Sequence, residues 1–301
     1  MVIRWREAMR RAIIASMMRA TSGLAALPVL VPVLALVLVL VLGFASTARA
    51  GDDEGIPWFR ETVALDGAAI FAFLDTDVEI RGTDIDLESD LDLNDFAVLP
   101  SAGLRWRFSD NKKHRIEAGY FSILRSAAVT VQREITLPDG STIPIGARAE
   151  TDLDLHVASL TYGYSFLHRP TLELGIILGL DFIVADSEVR GSLSGPSNVL
   201  SDDLLGEHFD VPFPTAGLYF DWAFLERLAL LSRFQYFGVK VGGISGELFR
   251  GGFQLEHRTT KHLHLFAGYE ALGANIDLNS KSVGDLSLVY HGPRAGVRIL
   301  F

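Results

Sequence analysis

The stretch Leu172-Glu173-Leu174-Gly175-Ile176-Ile177-Leu178-Gly179-Leu180-Asp181-Phe182 decides the fold. Every even position is apolar, while Glu173, Gly175, Gly179 and Asp181 occupy odd ones. Apolar residues with a period of two mark a strand with one apolar face. The length of that face is the informative part. It runs for about eleven residues, where an ordinary strand averages only about five or six. Eleven residues suit a tilted strand that crosses a bilayer.

The pattern recurs on either side. From Val98 to Phe108 the even positions are all apolar, and Ser101, Gly103, Arg105 and Arg107 lie between them. From Pro212 to Phe224 the even face is Pro212, Pro214, Ala216, Leu218, Phe220, Trp222 and Phe224. Ten such segments are predicted, near 68–81, 96–108, 114–126, 150–166, 171–186, 211–224, 227–240, 246–257, 262–277 and 284–301. The segments 68–81 and 246–257 are the weakest, so eight or twelve strands also fit. Ser109 to Lys113, Leu167 to Pro170, Leu225-Glu226 and Arg258 to Lys261 are short connections. Those around 82–95, 127–149, 187–210, 241–245 and 278–283 are mostly longer. The expected fold is all-β, an antiparallel up-and-down transmembrane β-barrel with short periplasmic turns and longer outer loops. The pattern P-x-A-G-[LV] at Pro100, Pro214 and Pro293 falls on three strands predicted to run toward the short turns, with Pro and Ala outward and Gly inward.

The first fifty residues differ. Arg4, Arg6, Arg10, Arg11 and Arg19 precede an apolar run from Val29 to Ala45, and Ala48 and Ala50 make an A-x-A site. This reads as a signal peptide, residues 1–50, cut after Ala50. Residues 51–67 are then a short periplasmic segment and 68–301 the barrel. Removing residues 1–50 takes the net charge from −10 to −15. An acidic chain argues against a nucleic-acid partner. The absence of cysteine excludes a thiolate zinc site, a cysteine nucleophile and a disulfide scaffold.

The chain closes on Tyr290-His-Gly-Pro-Arg-Ala-Gly-Val-Arg-Ile-Leu-Phe301, with Phe301, Ile299, Val297, Ala295 and Pro293 on one face. A terminal phenylalanine on an amphipathic strand resembles the C-terminal signal of bacterial outer-membrane β-barrel proteins. The resemblance covers essentially all of the exported chain and is one of class. It implies a location in the bacterial outer membrane, contact with membrane lipid and lipopolysaccharide, and recognition of Phe301 by the barrel-assembly machinery. No motif of outer-membrane proteases, phospholipases or lipid A deacylases is present.

With apolar faces turned outward, Leu104, Trp106, Leu174, Leu178, Leu218, Phe220, Val297 and Ile299 should meet lipid. The lumen should then hold Asp75, Asp77, Glu79, Glu117, Asp152, Asp154, Glu173, Asp181, Asp221, Glu256 and Glu270. Facing them should be Arg81, Arg105, Arg107, Arg115, Arg125, Arg233, Arg250, Arg294 and Arg298. Near balance predicts an interior cross-linked by ion pairs, because a buried charge must be paired. In particular Arg105, Arg107, Arg233, Arg294 and Arg298 are expected to pair with acids including Asp152, Asp154, Asp181 and Asp221. From Thr83 to Leu93 acid and apolar residues alternate, which reads as strand continuing beyond the bilayer with a solvated acidic face. Its carboxylates stand too far apart, about 6.7 Å, to enclose one ion.

Two groups carry residue types suited to chemistry. His262 and His264 share a strand face at a usable zinc spacing, without an evident third ligand beyond Glu256 or Glu270. Asp152, Asp154 and His156 share another face and could orient a general base, but Ser159 and Ser165 have the opposite parity. The expectation is a barrel without cofactor or resident metal and not an enzyme, with a structural, adhesive or surface-interaction role. A narrow passive channel for small or apolar solutes is the alternative, and an envelope hydrolase around His156 the second.

Overall fold

A computed structural model describes residues 57–80, 83–86, 88, 93–130, 135–136, 142–143, 148–192, 203–241, 244–278 and 285–301. The expected signal peptide and the cut after Ala50 lie outside these residues. Ten strands form the wall: β1 (Val63–Ile80), β3 (Phe96–Arg107), β4 (His114–Thr130), β7 (Arg148–His168), β8 (Leu172–Ser192), β9 (Asp203–Leu225), β10 (Leu228–Val241), β11 (Ile244–Arg258), β12 (Leu263–Leu278) and β13 (Asp285–Leu300). Each pairs antiparallel with its neighbour in the chain, and β13 pairs back onto β1, so the sheet closes. Closure removes both free edges, which would otherwise expose unpaired backbone groups. Among the described residues there are three further short strands. β2 (Thr83–Asp86) pairs with the far end of β1, and β5 (Ile135–Thr136) pairs with β6 (Thr142–Ile143). β2 is the part of the acidic Thr83–Leu93 stretch that extends the sheet as expected. β1 begins at Val63, five residues before the expected start at 68.

The outward face follows the sequence reading. Leu178 and Leu218 are more than half exposed, and Leu104, Trp106, Val297 and Ile299 are exposed as well. Leu174 and Phe220 share that face and are half-buried. Aromatic rings cluster toward the short turns, where Trp106 meets Phe108 at 5.6 Å and Trp222 meets Phe224 at 5.4 Å. Pro100, Ala102 and Leu104 point outward on β3, and Pro214, Ala216 and Leu218 do so on β9.

Three strands are much longer than a bilayer requires. β7, β8 and β9 have 21, 21 and 23 residues, against about nine to eleven for a crossing. Along β7 the outward residues near the short turns are Leu160, Tyr162 and Phe166, all exposed, and the inward ones are Thr161, Gly163 and Ser165, all buried. Farther up the same strand Leu153, Leu155 and Val157 are buried inward, while Asp152, Asp154 and His156 face out. From Asp152 to Ser165 the parity does not change, but the polarity of the two faces reverses near Val157. Such a reversal is what a strand shows where its outer surroundings change from apolar to aqueous. β1 repeats it: Ile70, Ala72 and Leu74 are buried inward, and Asp75 and Asp77 lie on the outward face beyond Phe73.

Candidate functional site

The lumen is built in layers. In the half nearest the short turns, alternating strand positions place arginines and carboxylates inside one ring. Arg107 and Glu173 are fully buried and joined by two parallel bonds of 2.7 and 2.8 Å. The planar guanidinium matches a carboxylate in this fork geometry. Arg107 also reaches Glu61 at 3.1 Å. Glu117 gathers Arg105 at 2.8 Å, Arg115 at 3.1 Å and Arg233 at 3.0 Å. Arg115 continues to Asp221 at 3.3 Å and lies 3.5 Å from the Tyr219 ring. Ser165 bonds both Glu173 and the Tyr219 hydroxyl, the latter at 2.6 Å. Arg298 bonds Asp66 at 2.5 Å and also holds Glu256.

Glycines make room for these side chains. A Cβ on Gly175 would stand 2.2 Å from the Tyr219 ring, and one on Gly163 would stand 2.9 Å from Arg115. Higher up, Arg250 joins Asp181 at 3.3 Å and Glu270 at 3.4 Å, and Arg294 joins Glu270 at 2.7 Å. The Tyr290 hydroxyl donates to Glu270 at 2.8 Å. This layer contains cavities of about 30 and 80 Å³.

Above the ion pairs the interior is apolar. Ile70, Leu74, Leu99, Phe121, Ile123, Leu155, Val157, Ile183, Phe213, Leu248, Leu272 and Leu288 form one buried cluster. Tyr290 joins the two layers, because its ring packs edge-on against Phe121 at 5.3 Å while its hydroxyl faces Glu270. Toward the outer end Leu93 and Arg125 are buried. Arg125 bonds Glu88 at 2.7 Å, the Asn94 carbonyl at 2.7 Å and the Thr76 hydroxyl at 3.1 Å. Burial raises the Glu88 carboxyl above its ordinary value, outweighing the pull of Arg125.

The segment before β1 closes the other end. Trp58 and Phe59 are buried against Ala223, Ala229 and Leu231. Trp58 donates its backbone N–H to the Pro170 carbonyl at 3.2 Å and its indole N–H to the Glu226 carbonyl at 2.9 Å. Those carbonyls belong to the β7–β8 and β9–β10 turns, across the mouth from β1 in strand order. Arg258 sits 4.3 Å over the Trp58 ring. Phe59 adopts the left-handed backbone region, φ 62°, an uncommon conformation for a bulky residue that marks a tight reversal. Glu61 follows; burial raises its carboxyl, but Arg107 and Arg105 together lower it below the ordinary value.

The residues expected in the lumen divide. Arg105, Arg107, Arg233, Arg294 and Arg298 face inward and each meets a carboxylate. Their partners are the glutamates 117, 173, 256 and 270, all among the expected inward acids, together with Glu61 and Asp66, which were not. Asp181 and Asp221 do face inward, but pair with Arg250 and Arg115. Asp152 and Asp154 are not in the lumen; they lie on the outward face of β7, as Asp75 and Asp77 do on β1. The expectation failed there because it turned every apolar face outward, and in these stretches the apolar face packs into the core. The Glu79 and Arg81 side chains lie outside the described residues. Glu61 and Asp66 were missed because both precede residue 68. Asp66 has the same parity as Ile70, and the parity expected for this strand, set by Asp75 and Asp77, would have turned it outward.

Neither group weighed for chemistry assembles. His156 points outward and its Nδ1 meets the Tyr120 hydroxyl at 2.8 Å, while Ser159 and Ser165 are on the lumen side. His264 is buried with Nδ1 on Glu256 at 2.6 Å, whereas His262 is exposed with Nδ1 on the Leu300 carbonyl at 3.0 Å. Glu270 is engaged elsewhere. Among the described residues no three His, Asp or Glu side chains are grouped to hold a metal ion.

No protein-family model matches the chain, and no curated protein matches it. Among solved structures it is similar to the outer membrane protease OmpT of Escherichia coli, at 13% identity over 83% of this chain and 100% of that one, with a TM-score of 0.52. It also matches the translocator domain of the autotransporter NalP from Neisseria meningitidis, at 10% identity over 87% and 93% of the two chains, with a TM-score of 0.41. Neisserial surface protein A matches at 14% identity over 80% and 97%, with a TM-score of 0.31. The first likeness shows a shared fold, that of the bacterial outer-membrane β-barrels; the other two are looser and carry no argument.

Proposed function

We propose that this chain is a non-conducting barrel of the bacterial outer membrane whose working surface is the part standing beyond the bilayer. The observation that carries this reading is the filled lumen. Trp58 and Phe59 are buried at one mouth, ion pairs and an apolar cluster occupy the interior, and Leu93 and the Arg125–Glu88 pair lie buried toward the other end. The cavities described among the ion pairs are small, about 30 and 80 Å³, which supports a lumen without a path for hydrated solutes. The second supporting feature is the height of β7, β8 and β9. Their apolar outward bands end near Ala158, Phe182 and Pro212. Beyond those points about ten residues of each strand continue, roughly 30 Å along the strand. This raised wall gives a rigid platform for contact with external partners, which is a structural or adhesive role.

The outward position of Asp152, Asp154, Asp75 and Asp77 at the base of the wall suits contact with lipopolysaccharide through divalent cations. Export through a signal peptide cut after Ala50, and assembly through Phe301, complete the reading. Planar-bilayer recording tests it. Purified protein should insert and remain silent, and should migrate differently on a gel before and after boiling, as a closed barrel does. Steady single-channel conductance would reject the proposal in favour of a solute channel.

A further inference from the structure

We propose, on the reading of the outer wall as the working surface, that the free upper edge of β9 binds an extended, basic segment of a partner protein as an added strand.

Proline makes this edge. The register of β9 with β8 is unbroken from Leu205 to Trp222, and Ala223 donates its N–H to the carbonyl of Thr171, just before β8. Backbone groups alternate sides along a strand, so odd positions of β9 bond β8 and even ones face β10. Pro212 and Pro214 are both even. The register that pairs Ala216 with Tyr236 would set Pro214 opposite Gly238 and Pro212 opposite Lys240. Neither proline has an N–H to give, and the β9–β10 ladder ends at Ala216–Tyr236.

Pro100, in the same P-x-A-G pattern, acts alike on β3. Arg107 donates to the Thr62 carbonyl ahead of β1, so Pro100 faces β4, and the β3–β4 ladder ends at Ser101–Phe121. There the chain occupies the opening itself, since Arg125 of β4 holds Glu88 and the Asn94 carbonyl. At β9, among the described residues, no strand pairs with Asp203 to Thr215 on the side away from β8. Gly206, His208 and Asp210 therefore turn both N–H and C=O to the open side, where an added strand can exchange two bonds with each.

Charge selects the occupant. Free edges are ordinarily blunted by proline, lysine or short length. From Asp203 to Val211 there is neither proline nor lysine, and the segment carries Asp203, Glu207 and Asp210. The β8 stretch paired with it carries Asp186 and Glu188 against Arg190. A second copy of this edge would set acid against acid, whereas lysine or arginine on an incoming strand meets opposite charge.

The probe is a fluorescent octapeptide of alternating lysine and valine, followed by anisotropy against the full chain folded in non-ionic detergent. A saturable rise is expected. N-methylation of alternate amides keeps the charge and removes the donors along one edge. It should weaken binding about tenfold or more, because several hydrogen bonds are lost together. A glutamate–valine peptide should bind about tenfold more weakly as well. His208→Pro removes an edge donor that β8 does not use, at the parity of Pro212 and Pro214, and should cost about tenfold. Glu207→Gln with Asp210→Asn serves if that variant misfolds, and should weaken binding severalfold. Undiminished binding of the N-methylated peptide would reduce the attraction to charge alone and overturn the proposal. Absence of binding, or unchanged affinity in both variants, does the same. Self-association of the peptide-free chain that His208→Pro abolishes would give the edge to a second copy instead. A barrel silent in bilayers that binds no peptide removes this inference alone, whereas steady conductance removes the reading beneath it.

Discussion

The two halves of the lumen solve one problem in opposite ways. Near the short turns, the wall faces lipid and the inside is polar, with Arg107, Arg115, Glu117 and Glu173 held by one another. Near the outer loops the inside is Phe121, Leu155, Ile183 and Leu288, and the polar residues of β7 and β1 have moved outside. A strand in a bilayer spends its apolar side chains on lipid and leaves polar ones for the interior. The same strand in water behaves like that of a soluble barrel. This molecule is a membrane barrel below and a water-facing barrel above, on strands whose parity holds across the boundary between the two.

The largest expected effect probes the lower half. Arg107→Met leaves Glu173 buried without its forked partner and should destabilise the barrel by about 3–5 kcal/mol, read from unfolding in detergent and denaturant. Adding Glu173→Met should restore at least half of that, because an apolar pair of similar volume often replaces buried ions without loss. Failure of the double variant to recover would mean that the charges here do more than satisfy one another. In the upper half, Leu155→Ala should cost about 2–5 kcal/mol, as for a packed core. A loss under 0.5 kcal/mol, typical of an unimportant surface site, would break the comparison by showing that the upper interior is not a core.

The boundary between the halves is tested from outside. Leu178→Arg, placed on the lipid face of β8, should cost about 2–4 kcal/mol, whereas Asp154→Arg on the outward face of β7 should stay within about 0.5 kcal/mol. Equal costs would place Asp154 in lipid and move the boundary. The smallest effect distinguishes the two ends by pH. Glu61 is held below its ordinary value, so its contribution is present above the ordinary carboxylate range and is lost as pH falls through its lowered pKa. Glu88 is held above its ordinary value, so its contribution is present below that range and is lost as pH rises through its raised pKa. Glu61→Gln should therefore flatten the acid limb of a stability–pH profile, and Glu88→Gln the limb above it.

The same boundary explains what the sequence revealed. All ten wall strands were legible, and so were the outward residues of β8 and β9, because Leu172–Phe182 and Pro212–Phe224 lie wholly within the apolar band. In β1 both faces of Ala68-Ala69-Ile70-Phe71-Ala72-Phe73-Leu74 are apolar, so parity rested on Asp75 and Asp77 and came out reversed. In β7 the polar residues Asp152, Asp154 and His156 were placed inside by a rule valid only lower on that strand. The strap was not legible, because its fixing contacts are backbone carbonyls at Pro170 and Glu226, which no side-chain pattern announces. Adjacent aromatics at Trp58 and Phe59 were its one trace.

The seam between β1 and β13 carries a consequence for how quickly the ring can form. Its register sets Gly67 opposite Val297, Ala68 opposite Gly296 and Ala69 opposite Ala295. Small side chains contribute little there, and the Arg298–Asp66 bond spans 232 positions of sequence. Contacts between such distant points form slowly, since the whole intervening loop must be confined before they give anything back. Closure of this seam, fastened by Arg298 on Asp66, is therefore expected to be the last step of refolding. Asp66→Asn should lengthen the time to closure more than an equally destabilising change inside a local hairpin such as β10–β11.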